Sequence, residues 1–420
     1  MDKRAFLKNM GLMGLAVPLS FSHLAEAVAA VSELKPDDLA TDEAFWLKVR
    51  ADYDIKPDYI NLENGYYCFM PRQTLEHQIE HMRNVNYEGS YYMRTVRVEN
   101  KKKVANKVAE IVGCTAEEVA ITRNATESLD LIIGGLPWEA GDEAVMAEQD
   151  YGAMLEHFRY VERRFGVVNR VVSVPNHPAN DEEIVDLYAA AITDKTRLLM
   201  VCHMVNITGQ ILPIRKIVDM AHSRGVEVMV DGAHAFSHID FKMADLGCDY
   251  YGTSLHKWLS APLGSGMLYV KKNKIDGIWP LLAERDLEPN DMRRLNHTGT
   301  HPVHVDLGIL NAIEYQNTLG LARKEARLRF LQHYWTSRVR DVPRVLVNTP
   351  ADTSRHAGIG NVGIEGIEPS DLAKTLMDKH AIFTVAINRP GVRGLRITPN
   401  VYTTTDELDV FVDAIKELSA

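Results

Sequence analysis

A single lysine, Lys257, lies in the largely apolar stretch TSLHKWLSAPLGSGMLYV, residues 253–270. Its neighbours Trp258 and Leu259 are apolar, so its ammonium group is not expected to be an ordinary surface charge. A lysine withdrawn from water has a lowered pKa, and its neutral amine is a nucleophile toward aldehydes. The stretch therefore predicts a reactive amine.

An acidic residue ends another apolar segment, VMVDGAH. Asp231 follows the pattern of a buried strand, where a carboxylate is costly unless it is paired. A protonated heterocyclic nitrogen would pair it. The alternative is that Asp231 only begins a turn with Gly232.

A third candidate lies in ITRNATES, where a strand pattern changes into a helix pattern. The free backbone N–H groups near Asn124, Ala125 and Thr126, together with the helix dipole, favour a phosphate. The alternative is a simple N-cap by Thr126, supported by Glu127 or Asp130.

A phosphate turn, a buried acid and a buried lysine in this order are what pyridoxal 5′-phosphate requires. Lys257 would hold the aldehyde as an imine, and Asp231 would keep the pyridine nitrogen protonated. The helix start, with Ser254 and His256, would bind the phosphate. Each signal is weak alone, and the ordered set predicts this cofactor.

The elements that position these residues alternate from about residue 117. Strand patterns such as DEAVMAE and VEVMVDGAH are separated by helical patterns such as YGAMLEHFRYVERRFG. This alternation predicts an α/β fold with a mostly parallel sheet covered on both faces. Residues 307–339 are predicted to form one long helical region, and the tail mixes short strands and helices.

Length and composition indicate a two-domain globular protein. The chain has 420 residues, 46% of them hydrophobic and 25% charged, with a net charge of −10. We expect a large domain over residues 61–300 and a small α+β domain from residues 31–60 and 301–420. Nothing in the charge pattern suggests a nucleic-acid partner.

The N-terminus, residues 1–30, has the order of an export signal. A basic start with Lys3, Arg4 and Lys8 precedes an uncharged apolar run, and alanines follow. KRAFLK resembles the twin-arginine signal, with lysine in place of the first arginine. The pattern predicts a periplasmic location through the twin-arginine machinery; the alternative is an amphipathic helix of a cytoplasmic protein.

The segments DGAHA and SLHKWLSAPLGSGMLYV resemble the class V aminotransferase family of fold type I, in particular the isopenicillin N epimerase-like proteins. The resemblance extends from INLENGYY at Ile60 to the C-terminus. It implies a seven-stranded, mostly parallel sheet in the large domain, a smaller C-terminal domain and a homodimer. Cysteine desulfurases and kynureninase are more distant relatives.

The resemblance implies roles for individual residues. Lys257 would be the Schiff-base lysine, Asp231 the partner of the ring nitrogen, and Tyr151 an aromatic ring stacked on the cofactor. The remaining cofactor-binding residues would be Ala125, Thr126, Asn206, His234, Ser254, His256 and, from the neighbouring subunit, Thr300.

Substrate-binding roles are implied in the same way. Arg396 would bind the substrate carboxylate as a two-pronged fork, and Asn64, Tyr92 and Arg94 would line the pocket. The alternatives are a surface salt bridge for Arg396, a core tyrosine at Tyr151 and a plain turn around Thr300.

These residues predict an enzyme that acts on the amino group or α-carbon of an amino acid or amino-acid conjugate, by transamination or epimerisation. A desulfurase is disfavoured because no cysteine follows Cys248. A binding protein that retains the fold is the non-enzymatic alternative. The export signal adds an analogy with the exported pyridoxal-phosphate enzyme of pyoverdine maturation.

Overall fold

The computed structural model describes residues 21–282 and 287–420. Residues 1–20, which contain the basic start and most of the apolar run of the predicted signal, lie outside the described residues. Across the two described ranges, no helix has the length and apolar character needed to cross a bilayer.

The N-terminal part contains short helices and one short strand before the large domain. They are α1 (Ser22–Ala29), α2 (Pro36–Leu39), α3 (Glu43–Arg50) and β1 (Ile60–Asn61). Two longer helices, α4 (Arg72–Glu88) and α5 (Arg97–Val112), then flank a π-helix at Tyr92–Val96.

A seven-stranded sheet forms the centre of the molecule. Its strands are β2 (Val119–Thr122), β3 (Glu143–Ala147), β4 (Val168–Val172), β5 (Thr196–Cys202), β6 (Glu227–Asp231), β7 (Tyr250–Ser254) and β8 (Gly266–Val270). The spatial order is β2-β8-β7-β6-β5-β3-β4. Strand β8 is antiparallel to both of its neighbours and the other pairs are parallel, which confirms the predicted mostly parallel sheet.

Helices cover both faces of this sheet. They are α6 (Ala125–Gly135), α7 (Gly152–Phe165), α8 (Asp181–Ala191), α9 (Ile214–His222) and α10 (Met243–Leu246). Alternate residues of β5 enter different cores: Leu199 and Val201 pack on one face, Leu198 and Met200 on the other. Because both faces are buried, the central strands are apolar throughout rather than alternating in polarity.

The C-terminal part begins with two helices, α11 (His304–Leu319) and α12 (Leu321–Val339). Residues 307–339, predicted as one long helical region, form two helices rather than one. Gly320 separates them with a φ of +89°, a conformation that glycine adopts without the steric cost of a Cβ atom.

A second sheet follows. The four-stranded sheet contains β9 (Val345–Val347), β10 (Gly360–Ile364), β12 (Val385–Arg389) and β13 (Val392–Ile397). The same part of the chain holds the short strand β11 (Ile382–Phe383) and helices α13 (Pro369–His380) and α14 (Thr405–Ser419). The order β12-β13-β10-β9 is antiparallel, and β11 pairs with β1 in parallel. The predicted smaller α+β domain is therefore present.

Single-turn elements complete the described chain. They are 3₁₀-helices at Ala116–Glu118, Lys272–Gly277, Met292–Asn296 and Thr353–Arg355. Helix α11 buries Ile309 and Ile313 in the core of the large sheet, although it follows residue 300. The domain division at residue 300 stays a prediction.

Helix α1 packs into the body of the protein. Phe21, Leu24 and Ala27 are 5%, 2% and 7% exposed and belong to one apolar cluster with Tyr53 and Tyr315. The rings of Phe21 and Tyr315 meet edge to face, with centroids 5.3 Å apart. The end of the predicted signal region is thus part of a packed core.

Candidate active site

Lys257 lies in the turn after β7, with its side chain partly buried. Its Nζ is 3.0 Å from Nε2 of His234. Burial lowers the pKa of Lys257 to about 8, Asp231 opposes this change, and Arg396 adds to it. The amine therefore has a much larger neutral, nucleophilic fraction at physiological pH than an ordinary lysine.

The contacts of His234 fit a neutral lysine. The indole N–H of Trp258 donates to Nδ1 of His234 at 3.4 Å, so the ring proton is assigned to Nε2. Nε2–H then faces the lone pair of the Lys257 amine. Burial, Lys257 and Arg396 hold the pKa of His234 well below its usual value, so this imidazole is uncharged.

Asp231 ends β6 and is 5% exposed. Its Oδ1 accepts a hydrogen bond from the Ala233 amide at 2.9 Å. Burial raises the pKa of Asp231, and the nearby charge of Lys257 opposes part of this rise. Gly232 follows because a Cβ atom there would lie 1.9 Å from the Tyr251 ring. Asp231 thus both begins a turn and faces the lysine.

A second buried acid, Asp150, was missed by sequence reasoning. Its Oδ2 accepts a hydrogen bond from the Ala147 amide at 2.8 Å. Burial, with a contribution from the nearby Asp231 charge, raises its pKa to about 7. Its position directly after a strand, in EQDYGAM, was the available signal.

The predicted phosphate turn begins helix α6. Asn124, rather than Thr126, is the N-cap, and its side chain accepts from the Glu127 amide at 2.8 Å. The Ala125 amide donates to Oγ of Ser254 at 2.9 Å, which brings the helix start to the end of β7. The capping alternative for Thr126 is therefore wrong.

Strand β8 passes very close to this turn. A Cβ atom on Gly266 would lie 2.6 Å from the backbone of Asn124, so only glycine allows the approach. His256 is partly buried nearby, with Nδ1 3.2 Å from the Ser265 carbonyl oxygen. Burial lowers the pKa of His256 to about 4.

Arg396, on β13, forms a buried ion pair. Its Nη2 and Nε donate to the two carboxylate oxygens of Glu63, at 2.5 and 3.1 Å. Its Nη1 donates to the backbone oxygen of Asn206 at 3.4 Å. Because Arg396 is 8% exposed, the surface salt bridge considered as an alternative is excluded.

Asn64, a predicted pocket residue, is held by hydrogen bonds within the protein. Asn64 is fully buried, its Nδ2 donates to the Thr398 carbonyl at 2.7 Å, and its Oδ1 accepts from the Tyr402 hydroxyl at 2.7 Å and from the Asn61 amide at 2.9 Å. Its amide is therefore engaged within the protein. The preceding residue, Glu63, is the one that contacts Arg396.

The other two predicted pocket residues, Tyr92 and Arg94, have no hydrogen bond to Lys257 within the described part of this one subunit. Tyr92 is buried in the π-helix, where its hydroxyl accepts from Asn100 at 3.1 Å. The charges that act on Tyr92 are Asp306, Glu88 and Arg97. Arg94 is exposed.

Tyr151 and Thr300 are both exposed. Tyr151 precedes α7 and is 46% exposed, so it is not a core tyrosine. Thr300 lies in the loop before α11 and next to Gly299, which has a φ of +71°. Neither is hydrogen-bonded to Lys257 among the described residues, and their predicted roles stay predictions.

A cavity of about 430 Å³ lies beside the phosphate turn rather than around Lys257. Thr122, Arg123, Pro262, Thr298 and His301 are among its lining residues. The cavity thus lies between the residues that precede α6 and the loop around Thr300, which was predicted to reach a neighbouring subunit.

The residues around Lys257 fit pyridoxal phosphate. Asp231 is a buried carboxylate that a protonated ring nitrogen would keep ionised. The neutral Lys257 amine suits the aldehyde, and the helix start at Ala125 suits the phosphate. One cofactor thus accounts for all three features.

A family model and similar proteins of known sequence place this chain among class V aminotransferases and their relatives. A family model described as aminotransferase class-V matches residues 71–397. The chain is 27% identical over 393 residues to an isopenicillin N epimerase of Streptomyces clavuligerus, covering 90% of this chain and 99% of the relative. It is 24% identical over 391 residues to a cysteine desulfurase of Haloferax volcanii, covering 87% and 90%.

A solved structure gives the fold and shows a cofactor. A mutant of C-DES with glycine covalently linked to its pyridoxal-phosphate cofactor superimposes with a TM-score of 0.79 at 19% identity, covering 88% of this chain and 99% of that chain. The relatives carry out different reactions, so they do not define one substrate. The family model covers most of the chain, and the chain therefore belongs to the class V aminotransferase family of pyridoxal-phosphate enzymes with fold type I.

Proposed function

We propose that this protein acts on the amino group or α-carbon of an amino acid or amino-acid conjugate, as an aminotransferase or epimerase. The observation that carries the proposal is the common environment of Lys257, Asp231 and Arg396, since both charges act on the pKa of the lysine. Lys257 supplies the reactive amine, Asp231 suits the ring nitrogen of the cofactor, and Arg396 suits the carboxylate of the substrate.

Pyridoxal phosphate, when bound, supplies an electron-withdrawing ring that stabilises negative charge at the substrate α-carbon. Arg396 binds the substrate carboxylate and so sets which α-carbon bond faces the lysine. Lys257 Nζ removes the proton from the α-carbon and returns a proton, as general base and acid. Asp231 would hold a proton at the ring nitrogen, and Ala125, Thr126, Ser254 and His256 would hold the phosphate.

A desulfurase function has less support. Persulfide chemistry needs an accessible thiolate. Cys68, whose amide donates to the His256 carbonyl at 3.3 Å, is fully buried, and burial raises its pKa to about 12. Among the described residues the other cysteines are Cys114, Cys202 and Cys248, and burial raises the pKa of each.

The test is incubation of the holoenzyme with amino acids and glutamyl conjugates. Exchange of the α-proton with solvent deuterium, without release of a keto acid, identifies an epimerase; keto-acid release identifies an aminotransferase. Lys257→Ala is expected to abolish either reaction. Release of sulfide or alanine from cysteine, with neither of the first two signals, would contradict the proposal.

We further propose a homodimer that is exported in folded form. The dimer is supported by exposed apolar side chains on and near α4 and the π-helix: Tyr66, Met82, Tyr87 and Tyr91. Sedimentation is expected to give twice the 47.2 kDa chain mass. Residues 1–35 fused to a reporter that must fold first should reach the periplasm, and cytoplasmic retention independent of Arg4 would exclude export.

A further inference from the structure

The carboxylate of Glu63 is held firmly in place. Its side chain is 6% exposed, and its Oε1 accepts a hydrogen bond from the Tyr66 amide at 2.9 Å. On the backbone, Glu63 bridges to Thr398, which lies just beyond β13. The anion that contacts Arg396 is thus fixed from both sides of the pair.

The Arg396 guanidinium is only partly used by its neighbours. A guanidinium has five N–H donors in a planar fork. Glu63 takes one from Nε and one from Nη2, and the Asn206 backbone oxygen takes one from Nη1. Among the described residues, one N–H on Nη1 and one on Nη2 have no acceptor, which is the number that a second carboxylate needs for a two-point contact.

The backbone beneath the guanidinium leaves little freedom for another position. A Cβ atom on Gly65 would lie 2.9 Å from Cζ of Arg396, so the group lies directly against this glycine. The contact with Asn206, a predicted cofactor-binding residue, directs Nη1 toward the cofactor side of the pair.

We propose that Glu63 is a positioning residue for substrate binding: it orients Arg396 so that the two remaining N–H groups receive the substrate carboxylate. This inference rests on the proposed function. Glu63 also balances the Arg396 charge, so the site does not bury an unpaired cation before a carboxylate binds. Recognition of a monocarboxylate group at this position is the expected specificity.

The test compares two reagents on the holoenzyme. Aminooxyacetate and methoxyamine carry the same aminooxy group, which reacts with the cofactor carbonyl, but only aminooxyacetate has a carboxylate. The ratio of their second-order rate constants, followed by the cofactor absorbance, measures the benefit of carboxylate binding. Arg396→Gln should reduce this ratio toward that of the free cofactor.

Glu63→Gln is expected to lower the ratio about tenfold, which corresponds to ~1.4 kcal/mol. The reason is geometric: the glutamine amide N–H₂ would face an arginine N–H. The two-point contact between residue 63 and Arg396 would then be lost, and the guanidinium would no longer be held in place. Glu63→Asp keeps the charge on a shorter side chain and should give an intermediate ratio. Methoxyamine reactivity should stay unchanged, which shows that the variants fold and load cofactor.

The matched control is Glu368→Gln. Glu368 pairs with Arg393, which lies on β13 as Arg396 does. Both side chains of this pair are 57% exposed, so the ratio of rate constants should not change. An unchanged or higher ratio in Glu63→Gln would overturn the inference, and a higher one would show that Glu63 competes with the substrate. Failure of both reagents with the native protein would instead contradict the proposed function.

Discussion

Two charged neighbours act on the Lys257 amine in opposite directions. The Asp231 carboxylate raises the pKa of Lys257, and the Arg396 guanidinium lowers it. Only the neutral amine can attack an aldehyde, so loading of the cofactor-free protein with pyridoxal phosphate should accelerate as pH rises through about 8.

We expect Asp231→Asn to move this loading midpoint to lower pH and Arg396→Gln to move it to higher pH. The measurement is the rate of appearance of the bound-cofactor absorbance between pH 6.5 and 10. Asp378→Asn, which alters an exposed pair with Lys374, should leave the midpoint in place. Shifts in the same direction for both site variants would contradict the shared environment.

The residues that could be predicted at this scale carry local signals. Lys257 and Asp231 stand out because charge interrupts apolar segments. Glu63 carried no such signal, since its partner Arg396 is 333 positions away and the contact depends on how β1 and β13 come together. The role of the adjacent Asn64 in lining the substrate pocket stays a prediction.

Helix α12 contributes a second buried lysine to the active-site region. Lys324 Nζ donates to the backbone oxygen of Trp258, which adjoins Lys257, and to the Gln316 side chain at 3.1 Å. It is 5% exposed, and burial lowers its pKa to about 8. The helix thus supports the turn that presents the reactive lysine.

Replacement of Lys324 by methionine should change how stability depends on pH. The folded-state pKa lies below the ordinary value of 10.5, so the unfolded chain binds more protons between pH 8 and 10.5. Native stability should therefore rise with pH relative to Lys324→Met in this window, by up to ~1.4 kcal/mol per pH unit.

Urea unfolding at pH 7.5, 8.5 and 9.5 would measure this difference. Lys374→Met, at a position whose side chain is 73% exposed, should show no such trend. A difference that stays constant over the same pH range would mean that Lys324 is not held in a desolvated site.

Most elements of the large sheet could be predicted because their apolar strands alternate regularly with amphipathic helices. The break between α11 and α12 could not, because the segment around Gly320 keeps its helical apolar spacing on both sides. Only the backbone angle of that glycine separates the two helices. The π-helix at Tyr92–Val96 was likewise absent from the prediction, since no sequence pattern distinguishes it from an α-helix.

At the scale of the whole molecule, a substitution in helix α1 tests whether the N-terminal segment belongs to the folded protein. Leu24→Ala should reduce the free energy of unfolding by about 2–5 kcal/mol, because Leu24 is 2% exposed in an apolar cluster. Leu34→Ala, at a site 43% exposed, should change it by no more than ~0.5 kcal/mol. Thermal or urea unfolding of both variants gives the comparison.

Equal stabilities of the two variants would show that α1 does not contribute to the core. The same result bears on export, since cleavage after Ala29 would remove Phe21, Leu24 and Ala27 from the cluster. Mass spectrometry of the periplasmic form would show whether these residues are retained.

The sequence predicted that residues 31–60 join residues 301–420, but not which of their elements pair. Composition and periodicity are local properties, whereas β1 pairs with β11 and α1 packs on α11 across most of the chain. Such contacts follow only from the complete fold.

The edge-to-face contact of Phe21 with Tyr315 has a consequence for synthesis. Ribosomes add about 5–20 residues per second, so the first aromatic ring waits on the order of 15–60 s for its partner to emerge. During that interval the nascent amphipathic segment is open to chaperones. This contact therefore forms late in synthesis, and a chain that stops before Tyr315 would leave the Phe21 ring without this partner.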